Sequence, residues 1–85
     1  MKTFVYFYLN YGAPAEIGAS VPLHVAYWRV AAVANYRGGL FADRSGGLIL
    51  FAAADLQKAT DIMLQDPFVL RGLVGEKWLK EWTPE

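Results

Sequence analysis

The stretch TFVYFYL at residues 3–9 decides the fold. Aromatic and β-branched residues favour strands, and side chains along a strand point alternately to its two faces. Neither face of this strand is polar, so the pattern predicts a strand that is covered on both sides and lies in the middle of its sheet. The two faces carry Phe4, Tyr6 and Tyr8 on one side and Val5, Phe7 and Leu9 on the other.

A secretory signal peptide is the alternative interpretation of the same residues. Lys2 precedes the apolar run, and Ala13-Pro14-Ala15 imitates a cleavage site of small residues. The run is short and contains two tyrosines, which favours the strand. No stretch approaches the ~20 apolar residues that cross a bilayer, so we expect a cytoplasmic protein that does not bind membranes.

The rest of the chain predicts two helices and three further strands. Ser20 is the expected cap of the first helix, with Pro22 tolerated in its first turn and Gly38-Gly39 ending it. Asp55 is the expected cap of the second helix. The predicted segments are a loop at 11–19, a helix at 20–36, a strand at 39–43, a turn at 44–47, a strand at 48–52, a helix at 55–65, one further turn at 67–71 and a strand at 76–82.

The first predicted helix has two neighbouring stripes and little charge. A surface helix normally has a charged outer face, but the charged residues here are only Arg29 and, at the end, Arg37. We therefore expect something other than water to cover part of this helix. The stripes, spaced three or four residues apart, are Leu23, Tyr27, Val30 and Ala34, and beside them His24, Trp28, Ala31 and Asn35. In the second helix the residues expected to point inward are Leu56, Ala59, Ile62 and Met63.

The order β-α-β-β-α-β predicts a single α+β domain over residues 1–85. Right-handed crossovers turn this order into a ferredoxin-like fold, a four-stranded antiparallel sheet with both helices on one face. The helices cover only one face, so the other leaves apolar side chains in water unless a partner hides them. We therefore expect a homodimer in which two sheets pack face to face as a closed barrel.

The composition excludes several classes of protein. Hydrophobic residues make up 55% of the 85 residues and charged residues 19%, which excludes disorder. Eight basic residues balance eight acidic ones, so the chain lacks the basic surplus of a nucleic-acid binder. There is no cysteine and only one histidine, which excludes thiolate chemistry and argues against a metal site.

His24 and Asp66 are the candidate catalytic residues. His24 is the only imidazole, so any histidine acid–base chemistry within one subunit belongs to it. The structural alternative is a boundary histidine hydrogen-bonded to backbone. Asp66 precedes Pro67, and such an aspartate ordinarily caps a new helical turn. A carboxylate has two oxygens and can accept from backbone amides and an imidazole together, so the two roles are compatible.

Other side chains are candidates for binding. Tyr6 and Tyr8 could line a pocket with their hydroxyls, although such residues also serve as plain core. Arg71 and Arg44 could meet an anionic substrate, although lone arginines are usually solvated. Ser45-Gly46-Gly47 lacks the pattern of a phosphate-binding loop and is interpreted as a turn.

Four motifs together are typical of one protein family. They are His24 within Pro-Leu-His-Val-Ala-Tyr-Trp, Gly38-Gly39-Leu40, Asp66-Pro67-Phe68-Val69 followed by Gly72, and Trp82. In these motifs and their order the chain resembles the YCII-related family along nearly its whole length. The resemblance does not extend to the stretch after Leu40, where many relatives have a Gly-Pro-containing segment and a longer excursion. Because loops shape pockets, substrate identity is not carried over.

The resemblance implies a dimeric α+β barrel of ferredoxin-like subunits with a paired histidine and aspartate in a cleft. The pair would here be His24 and Asp66, within one subunit or between two. Activities in and around the family include dehydrochlorination and isomerisation of small ring compounds, while most members lack an assigned reaction.

The leading hypothesis is a cofactor-independent lyase or isomerase acting on a small cyclic or hydroxylated aromatic molecule. His24 would act as general base and then general acid, and Asp66 would fix the tautomer of its ring. Tyr6, Tyr8 and Trp28 would form the walls of the pocket. The alternative is a non-catalytic ligand-binding or dimerisation module in which the pair is structural. An enzyme needs an open pocket beside His24, whereas a structural pair would be sealed.

Overall fold

The fold is the predicted ferredoxin-like arrangement in a computed structural model that describes residues 1–31 and 35–85. Two main helices and one short helix connect four strands. The elements are β1 (Lys2–Asn10), α1 (Pro14–Ala31), β2 (Arg37–Leu40), β3 (Gly46–Ala53), α2 (Leu56–Leu64), α3 (Pro67–Leu70) and β4 (Val74–Glu81).

The sheet has the strand order β2-β3-β1-β4, with every neighbouring pair antiparallel. The two-sided apolar strands β1 and β3 are therefore central, as their sequences predict. In the register between them, Tyr6 lies opposite Ile49 and Tyr8 lies opposite Gly47. Residues opposite one another share a face of the sheet, so the tyrosines of β1 and these β3 residues point the same way.

The hydrophobic core lies between the helices and one face of the sheet. Phe4, Tyr6 and Tyr8 are almost completely buried on this face, whereas Val5 and Phe7 on the opposite face are only partly buried. The core side chains are Phe4, Tyr6, Tyr8, Trp28, Ile49, Phe51, Ala53, Ala59, Met63, Phe68 and Leu73.

Helix α1 begins six residues earlier than predicted. The expected loop at 11–19 is shorter in the structure, because Gly12, at φ 104°, turns the chain and the helix begins at Pro14. Proline is well tolerated in the first turn of a helix, since the N–H that it lacks would have no partner within the helix there. Ser20 is accordingly a buried residue inside the helix and not its cap. At the other end, part of the predicted helix falls on residues 32–34, outside the described residues, but Asn35 has φ 57° and has left the helix.

The stripe of α1 that faces the core contains the histidine. Ser20, His24 and Trp28, spaced four residues apart, are the buried residues of this helix, while Leu23 is 47% and Val30 77% exposed. The structural alternative, a boundary position for His24, is therefore wrong. His24 can be buried because its ring is hydrogen-bonded to Asp66. Leu56, expected to point inward from α2, is likewise 55% exposed, while Ala59 and Met63 are buried as predicted.

Gly46 and Gly47, interpreted from the sequence as part of a turn, are the first two residues of strand β3. A Cβ at position 47 would lie 2.5 Å from the hydroxyl oxygen of Tyr8 and 2.7 Å from the carbonyl oxygen of Gly39. Gly47 therefore makes room for the tip of Tyr8. Strand β2 ends at Leu40 and not at residue 43, and the turn occupies the residues just before Gly46.

Within the described residues, none of the helices is both long enough and apolar enough to span a lipid bilayer.

Candidate active site

His24 and Asp66 meet inside one chain, between α1 and the start of α3. The Nδ1 atom of His24 lies 2.9 Å from Oδ1 and 3.0 Å from Oδ2 of Asp66. The carboxylate is completely buried, and the histidine is 7% exposed. The pairing that the sequence left open is therefore possible within a single subunit.

Three donors converge on the Asp66 carboxylate. Besides the His24 ring, the indole Nε1–H of Trp28 donates to Oδ2 at 3.0 Å, and the backbone N–H of Phe68 donates to Oδ1 at 2.9 Å. The last of these bonds caps α3. Asp66 is thus both a helix cap and the partner of His24, because each carboxylate oxygen can accept more than one hydrogen bond.

The hydrogen bonds at Asp66 determine the tautomer of the histidine. An ionised carboxylate only accepts hydrogen bonds, so we assign the His24 ring proton to Nδ1. The lone pair of the neutral ring is then on Nε2, which lies 3.4 Å from the hydroxyl oxygen of Tyr8. This distance is long for a hydrogen bond, and the weak contact leaves Nε2 available to a competing donor.

Aromatic rings hold the imidazole in place. The ring of Phe68 stacks on that of His24 with centroids 4.2 Å apart and an interplanar angle of 11°. Tyr8 meets the same ring edge-on, with centroids 5.7 Å apart. The stacking of Phe68, the edge contact of Tyr8 and the hydrogen bonds to Asp66 together hold the imidazole in one orientation.

His24 lines a cleft of about 310 Å³ between α1 and the edge strand β2. Tyr8, the neighbour of Nε2, also lines this cleft, whereas Asp66, the partner of Nδ1, does not, so Nε2 is the ring nitrogen on the cleft side. The volume is at the lower end of the range for small-molecule sites and fits a molecule with one ring. The residues that line the cleft are Tyr8, Val21, His24, Val25, Arg29, Tyr36, Gly38, Gly39, Leu40 and Phe68.

Tyr6 and Trp28 lie behind the pair and not in the cleft. Both are completely buried, and their rings stack with centroids 5.9 Å apart. Trp28 acts on the site through its hydrogen bond to Asp66. The hydroxyl of Tyr6 is buried and has no hydrogen-bond partner among the described residues. Of the three predicted wall residues, only Tyr8 contacts the cleft.

The two tyrosines remain protonated at neutral pH. Burial is the main cause that raises the pKa of Tyr6 and of Tyr8 far above the ordinary value of 10.0, and the negative charge of Asp66 adds to it. The hydroxyl of Tyr8 therefore acts as a hydrogen-bond donor toward anything that enters the cleft.

Arg71, a predicted binding residue, lies elsewhere. Its Nη1 donates to the Ser20 hydroxyl at 3.0 Å, and its side chain lines a separate groove with Leu23 and Leu70 on the outer surface of the helices. The arginine at the cleft is Arg29. The four-residue spacing from His24 to Trp28 predicts that both side chains lie on the same face of α1. It does not predict that the indole of Trp28 donates a hydrogen bond to Asp66.

No protein-family model matches the chain, and neither does any curated protein. Among solved structures, it is similar to 5-chloro-2-hydroxyhydroquinone dehydrochlorinase from Burkholderia phenoliruptrix in complex with 2,5-dihydroxybenzoquinone. The TM-score is 0.81 at 20% identity, over 95% of this chain and 93% of that one.

A second similar structure is a mutant of SnoaB, a cofactor-independent oxygenase from Streptomyces nogalater. The TM-score is 0.53 at 21% identity, over 96% of this chain and 90% of that one. Both neighbours have the subunit fold of the dimeric α+β barrel superfamily, which confirms the predicted fold class. At these identities the likeness establishes the fold alone.

Proposed function

We propose that the protein is a cofactor-independent acid–base enzyme, a lyase or an isomerase, acting on a small hydroxylated ring compound. The observation that carries this proposal is the orientation of His24, with Nδ1 held by Asp66 and Nε2 directed to a cleft. The neighbouring dehydrochlorinase, whose complex holds a dihydroxybenzoquinone, supports the substrate class. Membership of the YCII-related family and a cytoplasmic location stay predictions.

In this mechanism Nε2 of His24 accepts a proton from the substrate. The imidazolium that forms is stabilised by the Asp66 carboxylate, which already accepts the proton on Nδ1. In an elimination, the electron pair released at carbon expels a leaving group such as halide. In an isomerisation, the imidazolium returns its proton to a different atom of the substrate.

Tyr8 supplies the second polar contact. Its hydroxyl lies beside Nε2 and stays protonated because burial raises its pKa. A phenolic oxygen of the substrate that gains negative charge when Nε2 takes a proton would accept this hydrogen bond.

Proton exchange tests the proposal without knowledge of the natural substrate. A residue that acts as general base and general acid in the cleft should catalyse the exchange of ring C–H for deuterium in resorcinol dissolved in D₂O, as followed by NMR. The base removes the phenolic proton, the acid delivers a deuteron to a ring carbon, and the base then removes the proton from that carbon, which restores the aromatic ring. His24→Gln should lower the exchange rate by roughly 10²- to 10⁴-fold, the usual contribution of general acid–base catalysis. Lys58→Gln, an exposed change on α2, is the matched control and should exchange like the wild type.

Equal exchange rates in folded His24→Gln and wild-type protein would contradict the proposal. The alternative, a binding or dimerisation module with a structural His–Asp pair, is favoured by the near-complete burial of His24. This alternative predicts that neither the wild type nor His24→Gln exchanges the ring hydrogens of resorcinol faster than buffer does, whether or not resorcinol binds.

We also propose that the uncovered face of the sheet binds a second copy of the chain. Phe7 packs against Phe41 and Trp78 there, with ring centroids 5.0 Å apart in each pair, and Trp78 is still 45% exposed. An apolar face of this kind in water marks an interface. A homodimer built on it leaves the cleft, on the helix side, open to a small molecule.

A further inference from the structure

A second compartment adjoins the cleft beside His24 along helix α1. This second compartment has a volume of about 550 Å³ and is lined by Leu9, Ile17 and Gly18 among others. Val21 and Leu40 line both compartments, so the two lie side by side and share these residues as their boundary. We call the two parts the His24 compartment and the Gly18 compartment.

The two compartments follow one face of α1. Ile17, Val21 and His24 are spaced by four and three residues, which places them on a single stripe of the helix. With a rise of about 1.5 Å per residue, Gly18 lies roughly 9 Å from His24 along the helix axis. The Gly18 compartment thus begins within reach of a substituent on a ring that contacts His24.

The wall of the Gly18 compartment has both apolar and polar residues. Ile17 and Val21 on α1 are apolar, whereas Asn10 and Arg44 are polar and lie near the turn before β3. The Nδ2 of Asn10 donates to the carbonyl oxygen of Arg44 at 3.1 Å, which fixes this end of the groove.

The glycine at position 18 supports the presence of a ligand in this compartment. Glycine is a poor helix former, yet it stands inside α1 with an ordinary helical backbone. A Cβ at this position would meet no heavy atom within 4 Å, so packing within the chain does not require the glycine. The lack of a side chain keeps the compartment open.

We infer that the ligand of His24 is a hydroxylated ring carrying an apolar extension, and that the extension occupies the Gly18 compartment. This inference rests on the proposed function for the ring and adds the shape of the rest of the molecule. The His24 compartment accepts the ring, the apolar residues of the Gly18 compartment bury the extension, and the polar residues near the turn before β3 limit its length.

Binding of resorcinol and 4-hexylresorcinol to the full-length protein tests the inference. The two probes share the ring and differ only in the hexyl chain. Burial of that chain should make 4-hexylresorcinol bind about 100-fold more tightly in isothermal titration calorimetry. Gly18→Phe should remove this gain while resorcinol binds as before, and Gly18→Ala, the matched control, should retain it.

NMR of the wild type provides a measurement that does not depend on a variant. The methyl signals of Ile17 should shift with 4-hexylresorcinol and not with resorcinol. Equal affinities of the two probes in the wild type, or an undiminished gain in folded Gly18→Phe, would overturn the extension and leave the proposed function standing. Failure of both probes to bind would count against the proposed function itself.

Discussion

Aromatic residues of β1 lie on both faces of the sheet, but among the described residues only the covered face holds buried polar side chains. On the face that the helices cover, the charge of the buried Asp66 helps to raise the pKa of both Tyr6 and Tyr8. On the uncovered face, Phe7 meets Trp78 and Phe41. Alternate residues of a single strand therefore separate the candidate active site from the proposed dimer interface.

The difference between the faces lies in what their aromatic rings surround. On the covered face, the rings exclude water from a hydrogen-bonded histidine and aspartate, where such bonds are strong and their loss is costly. On the uncovered face, the rings have no polar group to protect. Mutations on the covered face should therefore act on stability and chemistry together, and mutations on the uncovered face on association.

The largest expected effect is that of Asp66→Ala on the covered face. The change leaves the donors of His24, Trp28 and Phe68 buried without an acceptor. We expect the free energy of unfolding to fall by about 3–5 kcal/mol, as measured by urea denaturation. Asp61→Ala, an exposed carboxylate on α2, is the control and should cost at most about 0.5 kcal/mol. A similar small loss for both would show that the donors at Asp66 reach water.

Phe7→Lys should have the next largest effect, on the uncovered face. A lysine between Trp78 and Phe41 places a charge in the middle of the proposed interface. We expect the dimer dissociation constant from sedimentation velocity to rise by about 100-fold, or about 3 kcal/mol. Gln57→Lys, on the helix side, should leave it unchanged. A wild-type protein that sediments as a monomer would reject the assignment of this face.

A pair of glycines offers a direct comparison of the two faces. Gly47 shares the covered face with Tyr8, whereas Gly39 lies opposite Leu48 and shares the uncovered face. Gly47→Ala puts a methyl group where the Tyr8 hydroxyl lies and should cost about 1–3 kcal/mol. Gly39→Ala meets no atom within 4 Å and should change the melting temperature little. Equal melting temperatures would mean that Tyr8 moves aside freely.

The smallest expected effect concerns high pH. Tyr6 and Tyr8 ionise near pH 10 in the unfolded chain, while burial raises their pKa in the folded protein. Their contribution to stability is therefore complete below pH 10 and is lost as the pH rises above it. We expect a loss on the order of 1 kcal/mol per tyrosine at pH 11, measured by urea denaturation at each pH.

Tyr6→Phe is the variant that checks this dependence. It keeps the ring, removes the group that ionises and eliminates a hydroxyl without a described partner. Its stability at neutral pH should not fall, and its loss between pH 10 and pH 11 should be smaller than that of the wild type. An identical loss would assign the alkaline dependence to other groups.

The sequence predicts the fold well because the fold depends on alternation along strands. Both central strands are apolar on two faces, and Asp55 caps α2 as expected, with its carboxylate accepting from the N–H of Lys58. The start of α1 was wrong because Gly12 and Pro14 are equally typical of a loop and of a turn followed by a helix start. Local residue preferences do not distinguish the two; packing of the first turns does.

The candidate site was predicted less completely. His24 and Asp66 are rare or distinctive enough to be identified, and the structure brings them together. The roles of Trp28 and Phe68 depend on distances between residues far apart in the chain, which no spacing reports. Arg71 was a predicted binding residue and Arg29 was not, but Arg29 lines the cleft, because a lone charge gives no indication of the direction in which it points.

The double role of Asp66 affects how relatives of this protein can be interpreted. Because its carboxylate caps α3 as well as orienting His24, selection for a folded protein would retain it in a lineage that had lost all catalysis. The histidine has no such second duty at a helix end. A set of related sequences that keep the aspartate while varying the residue at the position of His24 would therefore mark the point in their evolution where the chemistry was abandoned and the scaffold kept.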